Sequence, residues 1–214
     1  LRYDLGILNG RVVDGSGNPW YFGDIAVEGK RIERIGDIDE AECGRVIDAR
    51  GLYVCPGFID IHTHSDLSPF DHPSCESTLR QGVTTHLNGN CGDSAAPLKG
   101  PRAAAWRRYA GIRDEWDWAS FGEYLDALEK VRLGHHMASL VGHGTVRAMA
   151  LGWERRAPGP KELRFMKELV EESMLEGAFG MSTGLVYPPG CFARTDEIVE
   201  LCKVVARYGG MYAS

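Results

Sequence analysis

From Gly51 onward the chain alternates strand, loop and helix, and that alternation restricts its fold more than any other feature. Residues 52–61 are apolar and β-rich and run into His62-Thr63-His64. Residues 82–87 read as a second strand ending near Asn90-Cys91-Gly92, and residues 137–141 as a third ending in Gly142-His143-Gly144. Residues 178–182 form a fourth, and residues 210–213 open a fifth. Helices lie between them. Ser120-Phe121-Gly122-Glu123 has the form of a capping box, with Leu125 and Leu128 following on one face. Leu163, Met166, Leu169, Val170 and Met174 keep helical spacing. Thr195 is placed to cap a helix with Asp196 and Glu197 in its first turn, Ile198, Leu201, Cys202 and Val205 inward, and Gly209 at its stop. Strands alternating with helices predict an α/β fold with a parallel sheet covered on both faces. Eight such repeats take about 250 residues in a (β/α)8 barrel. Five strands are in use at Ser214, so the spacing predicts about the first half of a TIM-like barrel, cut within its fifth strand.

The first fifty-odd residues read differently, as short strands and tight turns. Asn9-Gly10 and Glu28-Gly29-Lys30 sit between alternating runs, which is a hairpin signal. The expectation is a small antiparallel β-unit. It holds few large apolar side chains, so it needs more strands to close a core.

Composition narrows the partners. The net charge of −6 has no basic block against it, which disfavours nucleic acid. No apolar run reaches the roughly 18 residues of a membrane span, and no signal-peptide pattern opens the chain, whose first residue is Leu1. The six cysteines lack C-x-x-C spacing and read as reduced core thiols, which makes the cytoplasm the expected compartment.

The chemistry gathers at predicted strand ends. Two histidines at i and i+2 on a strand face the same way, so His62 and His64 can reach one cation. Pro56-Gly57-Phe58-Ile59-Asp60 supplies an apolar, buried strand ahead of them and puts the pair at its carboxyl end, where βα barrels carry their active sites. Cys91, between Asn90 and Gly92, is either a thiolate ligand for zinc or a small buried hydrophobe. His143, between glycines, supports a ligand, touches substrate, or does neither. His86 reads as a core residue, and His72, His135 and His136 as structural or surface residues. The segment from Met181 through Ser182, Gly184 and Tyr187 to Gly190 carries hydroxyls and a tyrosine suited to a polar substrate group.

Pro56-Gly57-Phe58-Ile59-Asp60-Ile61-His62-Thr63-His64 resembles the first-strand signature of the amidohydrolase superfamily. Gly89-Asn90-Cys91-Gly92, the segment from Val141-Gly142-His143-Gly144 to Arg147, and the segment from Gly177 through Ser182-Thr183-Gly184-Leu185-Val186-Tyr187 to Gly190 are similar to its D-aminoacylase (N-acyl-D-amino-acid deacylase) branch. The similarity runs over nearly the whole chain. It implies that residues 1–54 begin a small β-sandwich domain and that residues 55–214 are the first half of a metal-dependent amidohydrolase barrel. It implies zinc as cofactor, with Cys91 taking the place of a carboxylated lysine as the tight ligand and His62 and His64 holding a weaker metal position. Tyr187, Ser182 and His143 become substrate-binding candidates, with Tyr187 on the substrate carboxylate. Two further zinc histidines and a general-base aspartate are expected beyond residue 214, so the missing C-terminal half of the barrel is needed for turnover.

The activity so implied is zinc-dependent hydrolysis of N-acyl-D-amino acids, small-molecule substrates, to a carboxylate and a free D-amino acid. No nucleic acid or membrane partner is expected. Two alternatives stand beside it: a related amidohydrolase acting on cyclic amides or dipeptides, and a non-catalytic half-barrel that requires a partner chain.

Overall fold

The computed structural model describes residues 2–214. It divides them at Gly57 into two units, the second being Phe58–Ser214. In the first unit β1 (Tyr3–Val12) is central. On one side it pairs antiparallel with β2 (Tyr21–Glu28), which pairs antiparallel with β3 (Arg31–Gly36). On the other side β4 (Cys43–Asp48) and β5 (Tyr53–Val54) run parallel to it. The sheet is therefore mixed, not antiparallel. Gly29-Lys30 makes the expected hairpin turn between β2 and β3. Asn9-Gly10 does not turn the chain. β1 runs through it as a bulge, with a register shift between Ile7 and Gly10 and Asn9 at φ 64°. The Asn9 N–H donates to the Asp24 carboxylate at 2.7 Å, which holds the kink. The unit's core is as small as its composition predicts: Tyr3, Leu8, Ala26, Ile38 and Cys43.

In the second unit β6 (Phe58–Asp60), β7 (Val83–Asn88) and β8 (His136–Ser139) form one parallel sheet. A second parallel sheet has β10 (Gly180–Ser182) between β9 (Val141–Gly142) and β11 (Met211–Ala213). The helices are α1 (Glu76–Leu79), α2 (Ala103–Ala110), α3 (Phe121–Val131), α4 (His143–Leu151), α5 (Pro160–Leu175) and α6 (Thr195–Arg207). The capping box of α3 forms in full: Ser120 Oγ accepts from the Glu123 N–H, and the Glu123 carboxylate accepts from the Ser120 N–H. Met166, Leu169 and Val170 of α5 and Leu201 of α6 are buried as their spacing predicts. No helix among the described residues is long and apolar enough to cross a membrane.

Four expectations need correction. The run at residues 52–61 is two strands, because Pro56 has no N–H to continue a ladder; β5 joins the first unit and β6 the second. β6 is not buried, since β7 is its sole strand neighbour among the described residues, and Phe58 and Ile59 are 56% and 64% exposed. The run at residues 137–141 divides at Leu140, with β8 entering the first parallel sheet and β9 the second. α4 follows at once. It is buried on every side, so it carries no apolar stripe for sequence periodicity to find. All six cysteines are free, but only Cys43 is fully buried, and Cys55 and Cys191 are exposed rather than in a core.

Candidate metal centre

His62 and His64 leave the carboxyl end of β6 on a segment tied down at both neighbours. The His62 N–H donates to the Asp60 carboxylate at 3.1 Å, and the Thr63 N–H donates to the Leu87 carbonyl at 3.3 Å. The two imidazoles stand 5.7 Å apart between ring centres, at 71° to each other. Beyond β7 the chain turns through Gly89, Asn90, Cys91 and Gly92. Gly89 sits at φ 72°, where a Cβ would lie 2.0 Å from the Leu140 carbonyl oxygen, so only glycine fits. Cys91 itself has φ 54°, a left-handed conformation that costs a non-glycine residue about 1–2 kcal/mol. The Asn90 amide donates to the carbonyls of Leu87 at 2.7 Å and Thr63 at 3.3 Å, pinning this turn to the histidine segment.

The result brings together three residues that the sequence separates. Cys91 Sγ lies 3.4 Å from His62 Nε2, and one donor atom from each of His62, His64 and Cys91 lies within 4.8 Å of the others. A tetrahedral zinc with bonds of about 2.1 Å to nitrogen and 2.3 Å to sulfur sets those atoms about 3.6 Å apart, which the 3.4 Å between Cys91 Sγ and His62 Nε2 fits. Two imidazoles and a thiol suit zinc and not magnesium or calcium, which take oxygen ligands. Cys91 is half-buried against an imidazole rather than sunk in apolar surroundings.

The remaining candidates are placed variously. Tyr187 is exposed in the segment after β10. Ser182, on β10, is buried, its hydroxyl donating to the Gly89 carbonyl and accepting from the Gly92 N–H. His143 begins α4 and is fully buried, with Nε2 2.9 Å from Glu197 Oε1. His86 is a core residue, its Nδ1 3.0 Å from His135 Nε2, and burial pushes both imidazoles below their ordinary pKa.

Sequence reading missed two acids and one ion pair. Asp66 accepts from the Gly89 N–H at 3.0 Å; burial pushes its carboxyl up to about 7, against the lowering effect of that bond. Burial raises Asp93 to about 6. With His64, Leu67, Trp106 and Tyr109 these acids line a cavity of about 400 Å³. Asp66 stands two residues after His64, a spacing that offered a signal; Asp93 offered none. Glu197, expected as a first-turn acid of α6, is buried and holds Arg147 Nη1 at 2.5 Å as well as His143.

Parallel strands that deliver two imidazoles and a thiol from their carboxyl ends define an α/β protein with a candidate metal site. The model of the Amidohydrolase family matches residues 45–199, and the chain belongs to that family. It is 39% identical over 212 residues to a D-aminoacylase of Alcaligenes xylosoxydans xylosoxydans, covering 99% of this chain and 44% of that protein. A D-aminoacylase solved in work on the role of its binuclear metal centre superposes with a TM-score of 0.90 at 37% identity, over 99% of this chain and 45% of the other. An N-acyl-D-glutamate deacylase of Bordetella bronchiseptica, complexed with zinc and a phosphonate inhibitor, gives a TM-score of 0.89 at 33% identity, over 100% and 45%. The chain thus spans less than half the length of these relatives.

Proposed function

We propose that the intact protein hydrolyses N-acyl-D-amino acids to a carboxylate and a free D-amino acid, with His62, His64 and Cys91 as metal ligands, Cys91 on the tight zinc and the two histidines at a weaker position. The observation that carries this reading is the convergence of those three donors. The names of the relatives supply the substrate class. In the same reading residues 55–214 are the first half of a (β/α)8 barrel, and residues 1–54 begin a small β-sandwich.

Zinc held there would supply Lewis acidity, polarising an acyl oxygen and lowering the pKa of a water. The chain's own residues shape and hold the site. Asp60 and Leu87 fix the histidine segment through its N–H groups, and Asn90 fixes the cysteine turn to that segment. Tyr187 is exposed, so its phenol is free to donate to a substrate carboxylate. Ser182 is closed off from solvent and bonds to the turn that carries Cys91, and His143 is closed off against Glu197.

The test is amine release by the intact protein from paired N-acetyl-D- and N-acetyl-L-amino acids. Release from the D series alone, stopped by a chelator, restored by zinc and lost in Cys91→Ala, is the expected result. Full activity in Cys91→Ala refutes the ligand assignment. Release from cyclic amides or dipeptides, with none from the D series, moves the substrate class.

A further inference from the structure

Ser182 lies 91 positions from Cys91 in the chain, yet its hydroxyl bonds to the backbone on both sides of that cysteine. It donates to the carbonyl of Gly89 and accepts from the N–H of Gly92 at 2.9 Å. All three residues are buried, and Ser182 is 1% exposed, so no bulk water stands ready to replace it. Between those anchor points the backbone is held in an unfavourable shape. Gly89 has φ 72°, Cys91 φ 54° and Gly92 φ 78°. Glycine adopts such angles freely, whereas cysteine does so only when its surroundings impose it. A hydroxyl has a single hydrogen to give, and here Gly89 takes it.

We propose that Ser182 is a positioning residue that clamps the Gly89–Gly92 turn and so aims the Cys91 thiolate at His62. This rests on the reading of His62, His64 and Cys91 as zinc ligands. Without the hydroxyl, the Gly89 carbonyl and the Gly92 N–H lose their bonds in a buried setting. The turn then relaxes toward angles that suit cysteine, and the sulfur leaves the position 3.4 Å from His62 Nε2. Gly184, two residues on, closes the same contact from outside, since a Cβ there would lie 1.9 Å from the Cys91 carbonyl oxygen. The tight packing leaves the clamp no room to slide.

The test uses the intact protein and two readouts other than turnover. Zinc affinity is measured by competition with a chromophoric chelator, and the thiolate-to-cobalt charge-transfer band is recorded after cobalt(II) loading. Ser182→Ala is expected to bind zinc about 10–100-fold more weakly, the range for removing a group that orients a metal ligand, and to shift or weaken the cobalt band. Ser182→Thr keeps the hydroxyl and is expected to restore both. Ser182→Cys keeps the bulk with only a weak S–H donor, and reads the same loss where the alanine variant does not fold. Ser173→Ala, which removes a buried hydroxyl bonded within α5, leaves both readouts unchanged. A change of less than about threefold in zinc affinity in Ser182→Ala or Ser182→Cys, with the band intact, overturns the clamp, as does an equal loss in Ser173→Ala. Failure of the underlying reading is distinct: it appears as unaltered zinc affinity and an unaltered cobalt band in Cys91→Ala.

Discussion

Replacing Glu197 with alanine is expected to destabilise the protein by about 3–5 kcal/mol, because it strands a buried guanidinium. Arg147 and His143 are 0% exposed and Glu197 is 3% exposed, so none of the three gains help from solvent. The carboxylate holds Arg147 Nη1 at 2.5 Å and His143 Nε2 at 2.9 Å. With it gone, Arg147 keeps the carbonyls of Arg156 at 2.5 Å and Glu154 at 3.4 Å, while its Nε has no partner. Neutral carbonyls satisfy N–H groups but do not cancel a charge. For a unit of this size each kcal/mol moves the midpoint by about 2–4 °C, so the transition should fall by roughly 6–20 °C. Urea unfolding of the intact protein measures the loss as a shift in midpoint at constant slope. The double variant Arg147→Met with Glu197→Leu should lose much less than the sum of its single changes, since it removes the charge along with its partner. The pH dependence has a defined sign. Burial alone raises the Glu197 carboxyl, but the bonds from His143 and Arg147 and the charge of Arg147 outweigh it and leave the group below its ordinary value of 4.5. Its contribution is therefore fully present above about pH 4.5 and is lost as pH falls through the lowered folded value. Glu197→Gln removes that acid-side slope. A loss below about 1 kcal/mol in Glu197→Ala, or a double variant as unstable as the summed singles, refutes the reasoning.

Gly184→Ala places a methyl 1.9 Å from the Cys91 carbonyl oxygen, so one backbone has to move. Zinc affinity should fall by about tenfold or more in the chelator competition, and an unchanged affinity would show that the turn does not depend on this contact. Met166→Ala empties a fully buried position in α5 and should cost about 2–5 kcal/mol in urea unfolding; a cost under about 1 kcal/mol would mean that α5 and α6 close over the gap.

How far the fold was legible depended on whether each element kept a period. α3, α5 and α6 each show an apolar face to the core and a polar one to water, and their spacing announced them. α4 is buried from His143 to Leu151, so no solvent-facing side sets off an apolar stripe. The run ending at Val141 looked like one strand because β-propensity is local. Whether Ser139 and Val141 join the same sheet is decided by strands that lie far away in the chain. Asn9-Gly10 carried a turn signal that is chemically sound, and Asn9 does take a positive φ. That angle serves a bulge here, since the strand pairing continues on both sides of it.

The candidate site was legible where chemistry demands unusual residue types at marked places. Two imidazoles at i and i+2, and a cysteine between Asn90 and Gly92, stand out against any background of core and surface residues. The groups that hold them in place use ordinary residues. Ser182 reads as a hydroxyl for a polar substrate group, Gly184 as a loop glycine, and Glu197 as an acid favouring a helix N-terminus. What distinguishes them is the distance between Ser182 Oγ and the Gly92 N–H, or between Glu197 and Arg147 across fifty residues. Those distances exist only once the chain has folded. The candidate ligands are therefore residues whose role a sequence advertises, whereas the aiming role of a residue such as Ser182 is added by the structure. If Ser182→Ala leaves the Cys91 thiolate as it was, that division fails at the one place in this chain where it is most sharply drawn.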